Sequence, residues 1–306
     1  MKKFLTIILV LTIMTIIVIA CIFAFNYFTH ETKYSTEPIF TMENYPKVDA
    51  SLATQPLTNA FIKNFTNTDI NVDDLEYTNT HPGYVKLING EADLIVVTEP
   101  SEDELALAKA KGVELEIIPV VKEGFVFYVN EKNPIESLTL EQIQNIYTGE
   151  ITNWSNVGGN DQKIRAFQRN VNSGSQTGML SLVMKDKKLM EPLTEDRIGS
   201  MIDIINIVSD YDNGINSIGY SYYYYATTMY DDINKEVADR IKLLGVNGVK
   251  PTYETIQDGT YPIQTAYYIV INKNEPEDSN TRKLVNAMLS ERGQNVAKEA
   301  GYVPVK

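Results

Sequence analysis

The chain has 306 residues, and its 40 Asp and Glu against 27 Lys and Arg leave a formal net charge of −13. That surplus argues against a nucleic-acid partner, and against attachment to anionic lipid by charge. The single cysteine, Cys21, and the two histidines, His30 and His81, rule out a Cys-based metal site in the body and leave little material for a Ser-His or Cys-His enzyme.

Lys2 and Lys3 precede an uncharged run over residues 4–25, long enough as a helix to cross a hydrocarbon core of about 30 Å. The positive-inside rule then keeps the lysines in the cytoplasm and puts the body on the extracytoplasmic side of the cell membrane. Val18-Ile19-Ala20-Cys21 resembles a bacterial lipobox, so lipidation of Cys21 stands beside an uncleaved anchor; the apolar residues 22–25 favour the anchor. Residues 1–28 are read as anchor or lipoprotein signal. Residues 29–46, polar and without a periodic apolar face, are read as a tether.

The remaining chain, about 260 residues, exceeds a typical single domain and predicts two lobes. Pro56 opens a helix over 57–65, where its missing N–H costs nothing. Residues 93–97 form a short apolar run fit for a buried parallel strand. Ser101 and Glu104 make a capping box for a helix over 102–111. Residues 124–130 read as a strand ended by Asn133-Pro134, and Thr139 with Gln142 caps a helix over 140–147. A strand over 163–168 leads through Arg169 to a helix over 179–185. Further helices are expected at 201–211, 253–257 and 282–300, the last broken near Gly293, with a strand at 266–272. The alternation predicts an α/β protein with parallel sheets and helices on their faces.

The segment between the strand and the helix at 179, Arg169-Asn-Val-Asn-Ser-Gly-Ser-Gln-Thr-Gly178, carries the chemistry. A helix start exposes unpaired N–H groups and attracts anions. Gly174 allows close backbone approach, Ser173, Ser175 and Thr177 add hydroxyls, and Arg169 offers a planar charged fork. The same serines are also ordinary N-caps, so the local pattern alone leaves both readings open. Two other strand ends present small or polar residues, 51–54 and 98–101, where ligands of open sheets bind. Asp73-Asp74 and Asp231-Asp232 lack metal-ligand spacing and read as solvated turns. Tyr222 to Tyr225, with Tyr220 and Tyr230, are read as hinge and core residues rather than as a cation cage, and Trp154 as structural.

At these motifs the chain resembles the phosphate-binding component of bacterial phosphate ABC transporters, within the class II periplasmic-type binding proteins. Arg169-x-x-x-Ser173-Gly174-Ser175 is similar to that family's anion loop, and Asp49-Ala-Ser-Leu-Ala-Thr54 to its first Ser/Thr-rich loop. Leu138-Thr139, Ile146-Tyr-Thr-Gly149, Ile151-Thr-Asn-Trp154, Ile218-Gly-Tyr220 and Gly301-Tyr-Val-Pro304 extend the likeness over most of the body. The resemblance implies a two-lobed α/β fold with a ligand cleft between the lobes. It assigns 47–126 and 262–306 to lobe I, the latter beginning with the return hinge, and 127–261 to lobe II. It implies binding of phosphate or a related oxyanion without catalysis or cofactor, closure of the lobes on the ligand, and an ABC permease as partner. Arg169, Ser173, Gly174 and Ser175 would hold the anion from one lobe, and Ser51 and Thr54 from the other.

Three features depart from the family pattern. Where the family places an acidic acceptor, the tip reads Thr98-Glu99-Pro100-Ser101; Glu99 is the candidate acceptor for a phosphate proton, Ser101 is better read as an N-cap, and Asp93 lies at the wrong end of its strand. Ser175 stands where the family commonly has Thr. The anchor is the third, and with the altered tip it supports an alternative: a membrane-tethered sensor or adaptor with a changed or lost ligand.

Overall fold

The structure, a computed structural model, describes residues 14–15, 37–66, 71–210, 214–229, 235–237 and 239–306. The apolar run at 4–25 apart from residues 14 and 15, Cys21, Tyr230 and Asp231-Asp232 lie outside the described residues. Among the described residues no helix is long and apolar enough to cross a membrane. The chain divides into two units, Met1–Glu37 and Pro38–Lys306, and the fold belongs to the second.

Eight strands form one mixed sheet: β1 (Val48–Ala50), β2 (Leu94–Val97), β3 (Leu115–Asn130), β4 (Arg165–Ala166), β5 (Ser217–Tyr222), β6 (Ile241–Leu243), β7 (Gln264–Asn272) and β8 (Val303–Pro304). Their order is β1-β2-β7-β3-β5-β4, with β6 and β8 also on β3. Strand β3 joins two halves. Its residues from Leu115 to Gly124 pair with β7, whereas Phe125 to Val129 pair with β5 and Tyr128 to Asn130 with β6. Each half is the sheet of one lobe, and the chain passes between them along β3 and returns on the approach to β7.

The helices are α1 (Gln55–Phe65), α2 (Thr80–Asn89), α3 (Glu102–Lys111), α4 (Leu140–Thr148), α5 (Gly174–Gly178), α6 (Met201–Ser209), α7 (Tyr253–Gln257), α8 (Asn280–Leu289) and α9 (Glu291–Glu299). Ser101 caps α3 and Thr139 caps α4, each with its reciprocal Glu104 or Gln142 contact. The tyrosines pack inward. Tyr220, Tyr222, Tyr224 and Tyr225 are buried, Tyr224 stacks on Tyr302 with centroids 3.6 Å apart, and Tyr222 meets Phe125 edge-on. Trp154 is buried and donates Nε1–H to the Asn216 carbonyl at 2.9 Å.

Several expectations are corrected. The sheet is mixed: only β1–β2 and β4–β5 are parallel, because β3 and β7 cross between the lobes and return antiparallel. Strand β3 begins nine residues before the expected 124, tolerating Pro119 beside a register shift at Tyr267/Tyr268. The expected strand at 163–168 is two short pieces, β4 and a pair at Gln168–Arg169. The helix expected at 179 starts at Gly174 and continues as a π-helical turn over Met179–Met184. The break expected near Gly293 within 282–300 is present and falls at Ser290, whose hydroxyl accepts from Gly293 N; a Cβ on Gly293 would lie 2.3 Å from the Ala287 and Met288 carbonyls. The end of the expected tether packs on the body, with Phe40 buried and its N–H bonded to the Phe65 carbonyl at 3.0 Å.

Candidate functional site

Three helical starts meet around one cavity of about 400 Å³. The first follows β1, where Ser51 N–H donates to the Val96 carbonyl at 3.1 Å and the chain turns into a 3-10 turn over Leu52–Thr54. The second is α2. Its cap, Asn79, adopts φ 75° and ψ 179°, a backbone region that costs a side-chain-bearing residue about 1–3 kcal/mol. Two bonds to the β1 loop hold it there: Asn79 N–H donates to the Ala50 carbonyl at 3.2 Å, and Asn79 Oδ1 accepts from Leu52 N at 3.2 Å. The third is α5, entered through Asn172 in the left-handed region at φ 63°. Ser173 Oγ accepts from Gln176 N, and Tyr222 Oη donates to the Gly174 carbonyl at 2.9 Å.

Arg169 enters from the strand before α5. Its backbone N–H is shared between Gln176 Oε1 at 2.9 Å and Tyr220 Oη at 3.0 Å, so the start of the side chain is fixed. One guanidinium N–H, on Nη2, donates to the Gly199 carbonyl at 2.9 Å. Nε is buried and has no partner, and among the described residues Arg169 makes no ion pair. Burial pulls its pKa below the usual value, while the surrounding Tyr220, Tyr128, Tyr225 and Asp203 raise it. One hydroxyl shares the condition of Nε: Ser175 Oγ is buried without a hydrogen-bond partner, while the buried Thr98 hydroxyl sits beside the Tyr222 phenol. Buried donors are ordinarily satisfied, and leaving one unpaired costs about 1–3 kcal/mol. Arg169, Ser175 and Thr98 all line the cavity.

The lobes touch at this point. A Cβ on Gly174 would lie 2.5 Å from Thr98 Oγ1 and 3.0 Å from Thr80 Oγ1, so only glycine permits the observed approach. Asn172 Nδ2 donates to Asp103 Oδ2 at 2.9 Å across the same gap.

Of the residues singled out in the sequence, Ser51, Arg169, Ser173, Gly174 and Ser175 line the cavity. Thr54 and Glu99 do not. Thr54 Oγ1 donates to the Val96 carbonyl and accepts from Ser51 N at 3.1 Å, so it buttresses Ser51. Glu99 turns away from the cavity: Ser181 Oγ donates to its Oε1, and Thr265 Oγ1 to its Oε2 at 3.4 Å. The neighbouring Thr98 lines the cavity instead. Sequence reasoning named the tip 98–101 but chose Glu99 over Thr98 within it, and it missed the whole start of α2 with Asn79, Thr80 and His81; the Pro82 in its first turn was the available signal. His81 Nδ1 lies 2.9 Å from Oε1 of the buried Glu104. Among the described residues no group of three or more His, Cys, Asp or Glu is placed to hold a metal ion.

A family model for the PBP superfamily domain matches residues 47–291. The chain belongs to the PBP superfamily. This superfamily member is 27% identical over 231 residues to the phosphate-binding protein PstS of Staphylococcus haemolyticus, covering 73% of this chain and 69% of that one. It is 25% identical over 269 residues to protein SphX of Synechococcus elongatus, covering 84% and 76%. An ABC-type phosphate transport receptor from Vibrio cholerae superposes with a TM-score of 0.60 at 22% identity, over 84% of this chain and 98% of that one. At that identity the likeness establishes the fold: two α/β lobes with a cleft between them.

Proposed function

We propose that this chain is an extracytoplasmic solute-binding protein that holds phosphate, or a related tetrahedral oxyanion, in its inter-lobe cleft for an ABC-type uptake system. The observation that carries this reading is Arg169 without a carboxylate partner among the described residues, its buried Nε set beside the unpaired Ser175 hydroxyl at one cavity. Charge-assisted hydrogen bonds to a bidentate guanidinium are the strong ones, and helix starts supply further N–H groups at no reorganisation cost. The relatives named as phosphate-binding proteins supply the ligand class.

In this reading Arg169, Ser173, Gly174 and Ser175 of lobe II (127–261) meet Ser51, Thr80 and Thr98 of lobe I (47–126 and 262–306), and Thr54 supports Ser51. The open form admits the anion, and closure desolvates it between the helix starts, where each bond is strengthened. The protein binds its ligand and performs no chemistry on it. Ser51, Arg169, Ser173, Gly174 and Ser175 stand together at the cavity, which supports a ligand-holding protein over a sensor or adaptor that has lost its ligand. We propose further that residues 1–28 tether the body to the membrane, as an uncleaved anchor or through a lipidated Cys21; the mass of the mature N-terminus distinguishes the two.

The test is calorimetric titration of the full chain with phosphate, after unfolding and refolding to strip carried-through anion. Saturable binding at one site supports the reading. A folded chain that gives no heat with phosphate, and whose melting temperature phosphate does not move, refutes it.

A further inference from the structure

Arg169, Ser173 and Ser175 line the lobe II side of the cleft, where they and the start of α5 form a compact set of partners for oxygen atoms. Lobe I comes to the same space with most of its protons committed. Ser51 N–H donates to the Val96 carbonyl at 3.1 Å, and the Ser51 hydroxyl is paired with Thr54 Oγ1 at 2.9 Å. Leu52 N–H donates to Asn79 Oδ1, the Thr98 hydroxyl is bonded to the Tyr222 phenol, and His81 Nδ1 is paired with Glu104. Pro82, in the first turn of α2, has no N–H to give. A bare oxyanion presents oxygens on every side, and each one that lobe I leaves unmet costs binding.

The cavity offers apolar surface there instead. Leu52 and Val171 stand at it from opposite lobes, 43% and 72% exposed, and Ala53, Pro82 and Met201 line the same space. One exposed apolar side chain is ordinary; two that face a single cavity from both lobes, beside a buried arginine, form a surface for an apolar group. The volume agrees. One water takes about 30 Å³ of liquid, and a tetrahedral oxyanion is only a few times larger. The cavity, about 400 Å³, lies within the roughly 300–1,000 Å³ of sites for organic ligands. Nor is the space simply a gaping cleft, because the lobes already meet where Gly174 approaches Thr98 and where Asn172 Nδ2 donates to Asp103 Oδ2 at 2.9 Å.

Resting on the oxyanion reading of this cleft, we infer that its preferred ligand is a phosphoryl group carrying one organic substituent, a phosphate monoester or a phosphonate. The phosphoryl oxygens lie against Arg169, Ser173, Ser175 and the α5 start, and the substituent lies between Leu52 and Val171. Capping one oxygen with an alkyl group, or replacing it by carbon, lowers the demand for donors that lobe I does not meet. It also adds apolar surface for the two side chains to take out of water. Each methylene buried there tightens binding by about three- to fourfold.

The experiment titrates the refolded full chain calorimetrically with inorganic phosphate, methyl phosphate, propyl phosphate and propylphosphonate. It is run at one ionic strength and at about pH 8, where monoesters are fully ionised. Affinity is expected to rise from phosphate through methyl to propyl phosphate, the last binding about tenfold or more tightly than phosphate. The tighter of propyl phosphate and propylphosphonate tells an ester ligand from a carbon–phosphorus one. Leu52→Ser combined with Val171→Ser changes two exposed side chains, so the fold is kept; the propyl advantage is expected to vanish while the Kd for phosphate moves by less than about threefold. If no organic ligand binds more tightly than phosphate, the inference is overturned and the phosphate-binding reading stands. A folded double variant that keeps the propyl advantage overturns it too. The wild-type series needs no variant, so a double variant that does not fold leaves the test standing. Absence of heat from every one of these ligands with folded wild type refutes the oxyanion reading itself.

Discussion

Arg169→Ala isolates the charge on which the proposed function rests. The guanidinium has five N–H groups; one is held by the Gly199 carbonyl, and Nε has none of its own. A two-point contact through Nε and one Nη is therefore open to an oxyanion. Two charge-assisted hydrogen bonds at about 1.5–3 kcal/mol each give roughly 3–6 kcal/mol of lost binding, or about 10²- to 10⁴-fold in Kd. The unliganded fold changes far less. Truncation loses the bond to Gly199, worth about 1 kcal/mol, but also removes a partly buried charge whose pKa burial already depresses. Melting should therefore shift by a few degrees at most, by about 2–4 °C per kcal/mol at this size. Calorimetry measures Kd directly, and melting with and without phosphate shows whether ligand stabilisation vanishes. A folded variant whose Kd rises less than about tenfold would sink the assignment of Arg169 as the anion's main partner.

Two further substitutions test the cleft and the crossing between lobes. Gly174→Ala places a methyl 2.5 Å from Thr98 Oγ1 and 3.0 Å from Thr80 Oγ1; the lobes must part to relieve it, so anion affinity falls by about tenfold or more and small-angle scattering at saturating phosphate shows a larger radius of gyration than wild type, with unchanged values counting against closure at this contact. Glu123 is buried on β3 at the crossing, accepting from Gly124 N at 2.8 Å and from Tyr224 N, with Tyr222, Tyr223, Tyr267 and Tyr302 around it. Burial pushes its pKa up to about 8. The folded state thus keeps a proton that the unfolded chain releases above about pH 4.5, so its contribution is full below that pH, declines as pH rises, and is gone above about 8. Glu123→Gln should flatten that decline, worth on the order of a few kcal/mol, in denaturant melts at pH 5, 7 and 9; an unchanged slope would show that Glu123 ionises freely in the fold.

Much of the site was legible because it is local. Arg169, Ser173, Gly174 and Ser175 lie within one turn of chain, where strand end, small residues and helix start leave few alternative geometries. The Ser101 and Thr139 caps were legible for the same reason. The choice between Thr98 and Glu99 was not. It depends on which face of β2 its C-terminal continuation presents, and all four residues of Leu94–Val97 are buried, so no polar–apolar alternation marks the faces. The sequence reading followed the acidic residue, whereas the strand turns that residue toward Ser181 and aims its smaller neighbour inward. Helix α2 was hidden by Thr80-His81-Pro82-Gly83, which reads as a turn; its conformation depends on bonds from Asn79 to the distant Ala50 and Leu52. The full length of β3 was obscured because Glu116, Lys122 and Glu123 break its apolar pattern. Glu116 pairs with Arg282 and Glu123 is capped by backbone N–H groups, arrangements that appear only once distant segments meet.

The placement of carboxylates explains how a chain of net charge −13 can hold an anion. At about 4 Å and an effective dielectric near 20, one uncompensated carboxylate opposes a singly charged ligand by about 4 kcal/mol, comparable to what Arg169 can supply. Every acidic side chain close to the cavity has a partner of its own. Asp49 accepts from Ala50 N and from both Thr78 donors and pairs with Lys86, which together hold its pKa down against the opposing effect of burial. Glu104 pairs with His81, while Glu99 and Asp103 reach across the cleft to Ser181 and Asn172. The last two put negative charge to use as contacts between lobes, at a distance from the ligand. Arg169 makes no ion pair among the described residues, and Asp203, the carboxylate that acts on it through space, is itself bonded to Ser200; in the proposed reading, closing the lobes directs the charge of Arg169 at the anion. Moving Glu99's carboxylate inward would cancel part of that charge, and the cleft is built with a threonine at that point instead.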